Sequence, residues 1–301
     1  MDVSAFLGLK RRPIPIIVLP KARLGNKMLQ YMFCTGLARR IPGAAAFNGS
    51  MPEWSIPAGY PTVPRDRTLR VEGGHEFDID AIVREFHESG YQGIEWSGFA
   101  FRIEYYDREW VEPLFNGRKI RAPRYGDDTL VIHIRAEDIL EGRHKNYWPL
   151  PFAYFDKLIN ETGLRPVFIG QTHDDNEYCR RLRGHYPEAE FSPRASPVFD
   201  FEILGRATHI ATSVSSFAWL GCWRSSAKTI YLPIAGLADP RQRPDVDVLP
   251  IGDQRYKFHL FELGTWHASA DQFAYLYDGE GRFEPITHDQ AAQLKKLRAV
   301  A

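Results

Sequence analysis

His133, Arg135 and Asp138 fall within six positions of one another, where the apolar run TLVIHI gives way to RAED. Alternation along a strand puts His133 and Arg135 on one face. A guanidinium at a strand end can grip a phosphate with two N–H donors and keeps its charge at any working pH. The same residues also read as a strand that surfaces, with Asp138 pairing Arg135 or capping a helix. The pattern leaves both readings open.

Three further stretches place polar groups where a strand or turn meets a helix. In ARLGNK, Gly25 and Asn26 head a helix whose amides form a ready anion site, or Gly25 simply permits the turn. In GQTHDDNEYC, Asp174 is expected to begin a helix, with Glu177 completing a capping box. The functional alternative there is a carboxylate that takes the N–H edge of a guanine. In ATSVSSFAWLGCW, Ser213, Ser215 and Ser216 offer hydroxyls and amides for a neutral anion cup, while Phe217, Trp219, Leu220 and Trp223 read as core. His133, His144, His173 and His209 make no metal pattern, and no GxSxG elbow marks a hydrolase.

The elements that must position these residues alternate. PIPIIVLP is a strand bounded by prolines, and Met28, Leu29, Met32, Phe33 and Leu37 mark the helix that follows, stopped at Pro42-Gly43. From residue 127, TLVIHI, RPVFIG, THIATS and KTIYLP read as strands separated by helices. That order predicts a doubly wound parallel sheet with ligands outside the strand carboxyl ends. Residues 43–126 are rich in Pro, Gly and aromatics, with a helix near 78–89 and no clear topology. Beyond about 235 the chain reads as loop, with one terminal helix near 288–299.

Lys plus Arg equals Asp plus Glu at 38 each, so bulk charge favours neither nucleic acid nor an anionic membrane. The three cysteines show neither a disulfide framework nor CxxC spacing, which suits a reducing compartment. No apolar run reaches the ~20 residues of a membrane span. The opening MDVSAFLGLKRR has its basic residues after the apolar patch, the reverse of a secretory leader. The expectation is a cytoplasmic protein, with peripheral association at the inner face of the cell membrane as the alternative.

Taken in order, these segments resemble the fucosyltransferases of the GT-B type. The likeness is nearest to the bacterial α1,2-fucosyltransferases; the α1,6- and protein O-fucosyltransferases are more distant. Arg23 to Tyr31 matches a GGLGNQMFQY-like stretch, and His133 to Asp138 matches HxRxxD, usually HIRRGD. His173 to Cys179 matches an SDDIEWC-like stretch. Asp200 to Leu204 followed by Ser215 to Trp219 matches DFELMS…NSSFSWW. The chain departs from the pattern at Ala22-Arg23 for paired glycines, Lys27 for Gln, Ala136-Glu137 for Arg-Gly, and Val214 for Asn.

The resemblance implies an α/β GT-B-like fold of two Rossmann-like halves with the donor cleft between them. The halves would be 1–126, carrying acceptor-side insertions, and 127–301, binding the nucleotide sugar. It implies inverting transfer of fucose from GDP-fucose to a hydroxyl of a glycan acceptor, in α1,2 linkage, for a bacterial surface polysaccharide or related glycan. Arg135, with His133 and Asp138, would be catalytic, Arg135 meeting the charge that grows on the leaving GDP. Ser215, Ser216 and the Phe217 amide would hold the pyrophosphate. Asp174 or Asp175 would read guanine, and Arg23, Gly25 and Asn26 would close the phosphate site. No metal would be required. His75, Glu76 and Asp138 are the candidate general bases, and the aromatic-rich 43–126 segment the candidate acceptor surface. Two alternatives accompany this reading: the same fold with another GDP-sugar, and a non-catalytic GDP-sugar- or glycan-binding module.

Overall fold

The computed structural model describes residues 13–115, 120–193 and 196–297. The opening basic segment and the last residues expected in the terminal helix lie outside these. The chain divides into two compact units, Met1–Lys119 and Ile120–Ala301.

In the first unit β1 (Ile14–Val18), α1 (Leu24–Ala38), β2 (Ala44–Phe47), β3 (Thr68–Glu72), α2 (Ile79–Glu88), β4 (Gly93–Ser97) and the single turn α3 (Arg108–Val111) follow in order. The sheet is parallel throughout, in the order β2-β1-β4-β3, so β4 inserts between β1 and β3. The Asp78 carboxylate caps α2 by accepting from the Ala81 amide at 2.9 Å. Phe33 of α1 meets Trp96 of β4 with ring centroids 4.8 Å apart, and Phe77 at 5.0 Å. Trp54, Trp96, Phe101 and Tyr106 are buried, while Tyr60 is half exposed at 49%. Four of the aromatics offered as an acceptor surface are therefore core, as an all-parallel sheet must be covered by apolar surface, while Phe99, Tyr105 and Trp110 are partly exposed.

The second unit runs β5 (Thr129–Ile134), α4 (Phe152–Thr162), β6 (Arg165–Gly170), α5 (Glu177–His185), β7 (Glu190–Phe191), α6 (Pro197–Arg206), β8 (His209–Ala211), α7 (Ser216–Arg224) and β9 (Thr229–Ile234). It ends with β10 (Tyr256–Phe261), α8 (Ala270–Asp278), β11 (Phe283–Ile286) and α9 (His288–Leu297). The region beyond 235 thus adds two strands and a helix that the loop-rich expectation lacked. The sheet order is β11-β10-β9-β8-β5-β6-β7, parallel except for β11. From β5 the chain winds outward through β6 and β7, then returns to β8 on the other side of β5 and winds outward again. The strand order reverses between β5 and β8, and that boundary opens a crevice at the carboxyl edge. All six residues of β5 are buried, as befits a central strand covered on both faces.

Candidate functional site at the carboxyl edge of β5 and β8

The end of β5 and the residues just beyond β8 bring His133 and Ser213 together. The His133 Nδ1 lies 2.8 Å from the Ser213 hydroxyl, and both side chains are buried. Burial, with a smaller contribution from the Arg135 charge, lowers the His133 pKa from 6.5 to about 3. His133 is accordingly a neutral hydrogen-bonding group at working pH. Gly170, paired with Ile134 across β5 and β6, has φ +90°; a Cβ there would come within 2.6 Å of the Ile134 carbonyl oxygen and 3.1 Å of His133 Nε2. The Ile134 carbonyl and the positive φ therefore exclude a side chain at that position, and the imidazole crowds it further.

Arg135 leaves the strand just beyond. Its Nη2 donates to Asp138 Oδ2 at 3.1 Å and Oδ1 at 3.4 Å, the two side chains being 18% and 15% exposed. The guanidinium carbon stands 5.5 Å from the centroid of the Tyr147 ring, within cation–π reach. The ion-pair geometry weighed from the sequence is thus present, and it orients the cation at the strand end. His133, Arg135, Trp148, Tyr178 and Ser213 line a small cavity beside it.

The peptide after Arg135 is held on both sides. The Ala136 amide donates to Gln171 Oε1 at 2.8 Å, and its carbonyl accepts from Asn176 Nδ2 at 2.7 Å. The Gln171 amide donates to the Ile134 carbonyl at 3.0 Å. Asn176 is also the cap of α5, its Oδ1 accepting from Cys179 N at 2.9 Å. The capping box expected from Asp174 is therefore not formed. Asp174 and Asp175 lie exposed in the preceding turn, and the Asp174 carbonyl accepts from Arg180. Asn176 takes the cap, and its amide nitrogen can donate to the Ala136 carbonyl where an ionised aspartate could not.

On the other side of the crevice Ser215 caps α7, its hydroxyl accepting from Ala218 N at 3.4 Å. Ser216 and Phe217 are the first residues of that nine-residue helix, whose leading amides have no intrahelical acceptor. Phe217 lies between His133, centroids 6.2 Å apart, and Phe201, 5.3 Å apart. Asp200 of α6, which the sequence reading matched but gave no role, accepts from the Gly170 amide. Burial raises its pKa to about 6 against that bond. The structure brings Arg135, His133, Asp138, Ser215, Ser216 and Phe217 to one edge.

The N-terminal candidates occupy their own turn. Arg23 is the residue before α1, and Gly25 and Asn26 lie in its first turn, following Ala22 at φ +63°. The signal that sequence reasoning passed over here is Gln30, fully buried. Its amide accepts from Lys21 N at 3.0 Å and donates to the carbonyls of Lys21 at 3.1 Å and Gly98 at 2.9 Å. It ties the turn after β1 to the end of β4. His75 Nδ1 accepts from Phe101 N at 3.0 Å, and Glu76 pairs with Arg102, so neither candidate base is without a protein partner.

Among the described residues no group of three or more His, Cys, Asp or Glu is placed to hold a metal ion. No helix among them is long and apolar enough to cross a membrane.

The fold is a largely parallel α/β one, and the candidate site lies where the strand order of the second sheet reverses. No protein-family model matches the chain, and no curated protein matches it. Among solved structures it is similar to a point mutant of Arabidopsis thaliana FUT1 in complex with GDP, at 9% identity and TM-score 0.46 over 86% of this chain and 73% of that one. It is also similar to the E. coli heptosyltransferase WaaC with ADP, at 11% identity and TM-score 0.40 over 95% and 98%. A third is E. coli ADP-heptose lps heptosyltransferase II, at 14% identity and TM-score 0.39 over 95% and 99%.

Proposed function

We propose that the chain is a nucleotide-sugar-dependent glycosyltransferase, and specifically an inverting one that moves fucose from GDP-fucose to a glycan hydroxyl in α1,2 linkage, in the synthesis of a bacterial surface polysaccharide or related glycan. The observation that carries this reading is the grouping at one crevice of an oriented guanidinium, Arg135, and a serine-capped helix N-terminus, Ser215 to Phe217. A fixed cation and a helix start at the same sheet edge are suited to a diphosphate. The four ordered sequence matches supply the guanosine and the fucose.

In the reaction the acceptor hydroxyl attacks the anomeric carbon from the face opposite GDP. The C–O bond to the β-phosphate breaks, its electron pair stays with GDP, and the hydroxyl proton passes to a base or to solvent. Arg135 stabilises the charge arriving on the leaving phosphate, an electrostatic contribution of several kcal/mol when the cation is already in place. Neutral His133 cannot act as a cationic acid there. It holds Ser213, and with it the chain entering the Ser215 cap. In this reading Arg135 serves the diphosphate without a metal, while Arg23, Gly25 and Asn26 are assigned to the phosphates by resemblance alone.

Guanine recognition falls to a carboxylate that accepts its two adjacent N–H groups. Asp174 and Asp175 hold that role by resemblance; Asp200, half-buried beside the Gly170 amide, competes with them. Thermal melts with a panel of nucleotide sugars test the donor, because a ligand that binds only the folded state raises the melting temperature by mass action. GDP and GDP-fucose should stabilise the chain. Stabilisation by UDP- or ADP-sugars with none by GDP would refute the GDP reading, and a GDP-sugar other than fucose would correct the sugar alone.

A further inference from the structure

The resemblance places two adjacent arginines after the strand, and here the second position is Ala136. That residue is fully buried, with both its amide and its carbonyl bonded to side chains. The position presents no side chain to solvent. A different arginine reaches the same neighbourhood. Tyr147, whose ring stands beneath Arg135, is hydrogen-bonded by the side chain of Arg243. Arg135 and Arg243 therefore share one tyrosine, although they are more than a hundred positions apart.

Arg243 is delivered by a loop that is built rather than loose. It follows β9, the strand beyond β8, on the same carboxyl edge. Asp239, 1% exposed, takes Arg241 in a bidentate pair at 3.0 and 2.7 Å, and Arg241 also donates to the Phe261 carbonyl at 2.8 Å. Gly236, at φ +54°, lies so close to the Asn146 carbonyl that a Cβ would approach it to 2.0 Å. The loop thus crosses directly against the segment that carries Tyr147. Asp245 then aligns Arg243 through Nε and Nη2, each at 2.9 Å.

Two guanidinium groups brought to one ring repel each other unless anions lie between or beside them. Each here has its own carboxylate, Asp138 or Asp245, which fixes its direction. A guanidinium carries five N–H donors, more than a carboxylate and a tyrosine hydroxyl together engage, so an aligned arginine can hold a phosphate as well. One oriented cation suits one phosphoryl group; two on a common support suit a diphosphate. Resting on the nucleotide-sugar reading above, we infer that Arg243 is the second cationic contact of the diphosphate, supplied from the β9 loop in place of the residue that Ala136 fills.

The test is equilibrium binding of GDP and of guanosine to the full chain, comparing wild type, R243A, R243K and R135A, with thermal melts of each. Removing one charge-assisted phosphate contact should raise the GDP dissociation constant about tenfold or more in R243A. R243K should recover part of that loss. Guanosine, which lacks phosphate, should bind all four proteins alike. R243Q replaces R243A if the latter does not melt cooperatively. GDP binding by R243A equal to that of wild type overturns the inference, as does an equal loss of guanosine affinity, which would make Arg243 a brace for the loop. If R135A weakens GDP and R243A does not, the nucleotide-sugar reading survives and this inference falls. Absence of GDP binding by wild type removes both.

Discussion

The Nδ1 of His133 stands 2.8 Å from the hydroxyl of Ser213, across the one boundary where the strand order of the C-terminal sheet reverses. The pair joins the two halves of the crevice: Arg135 follows His133 by two residues, and the Ser215 helix cap follows Ser213 by two. The pair thus ties the strand end that carries the Arg135 cation to the segment that leads into the α7 cap.

His133 should not titrate in the physiological range. Its pKa falls from 6.5 to about 3 on folding, chiefly through burial. Between those values the unfolded chain binds a proton that the folded chain does not, so stability is full above pH 6.5 and is lost as pH falls toward 3. The His133 imidazole resonances should stay fixed from pH 8 to pH 5. A transition near 6.5 would place the ring in solvent.

Asp200 has the opposite sign. Its pKa rises on folding to about 6, so the folded chain holds a proton longer than the unfolded one and loses stability as pH rises from about 4 to 6. Asp200→Asn should therefore melt higher than wild type at pH 7.5, by about 1–3 kcal/mol, and equal it near pH 3.5. Equal melting at pH 7.5 would show a well-solvated carboxylate. If Asp200 reads guanine, the same variant loses GDP over ADP discrimination, while Asp174→Asn and Asp175→Asn do not.

The two roles of Asn176 can be separated. Asn176→Asp keeps an oxygen for the Cys179 amide but turns a second oxygen toward the Ala136 carbonyl. Asn176→Ala loses both bonds and should cost about 1–2 kcal/mol of stability through the cap alone. If the clamp positions Arg135, Asn176→Asp should melt near wild type yet transfer sugar about tenfold more slowly, a mispositioning effect. Unchanged turnover in Asn176→Asp would limit the residue to capping.

Gln30 is buried with three bonds to backbone groups of Lys21 and Gly98. Gln30→Leu keeps the volume and leaves those groups without a partner, at about 1–3 kcal/mol for each one that water cannot reach. Urea denaturation should show a large loss of stability; a loss below about 0.5 kcal/mol would mean the turn relaxes to water.

Much of the C-terminal sheet was legible because its central strands are short β-branched runs closed by turns. TLVIHI and RPVFIG match β5 and β6 residue for residue, and Gly163, at φ +64°, ends the α4 helix between them. The strand GIEWS was hidden by its glycine and glutamate, and YKFHLF by a lysine and by a histidine that is buried in the sheet. The run Asp174-Asp175-Asn176 offers three possible caps, and local pattern ranks them without knowing that the Ala136 carbonyl lies within reach. His133 with Ser213, and Tyr147 with Arg243, are meetings across 80 and 96 positions, which no local spacing encodes.

The central claim is that Arg135 stabilises the departing nucleotide diphosphate. The most direct measurement is single-turnover transfer from GDP-fucose to a competent glycan acceptor by wild type, Arg135→Lys and Arg135→Ala, all at saturating donor. The account predicts a loss of about 10²-fold or more in the alanine variant, with lysine recovering only part because a point charge cannot replace the planar fork. Turnover by Arg135→Ala at the wild-type rate would contradict it.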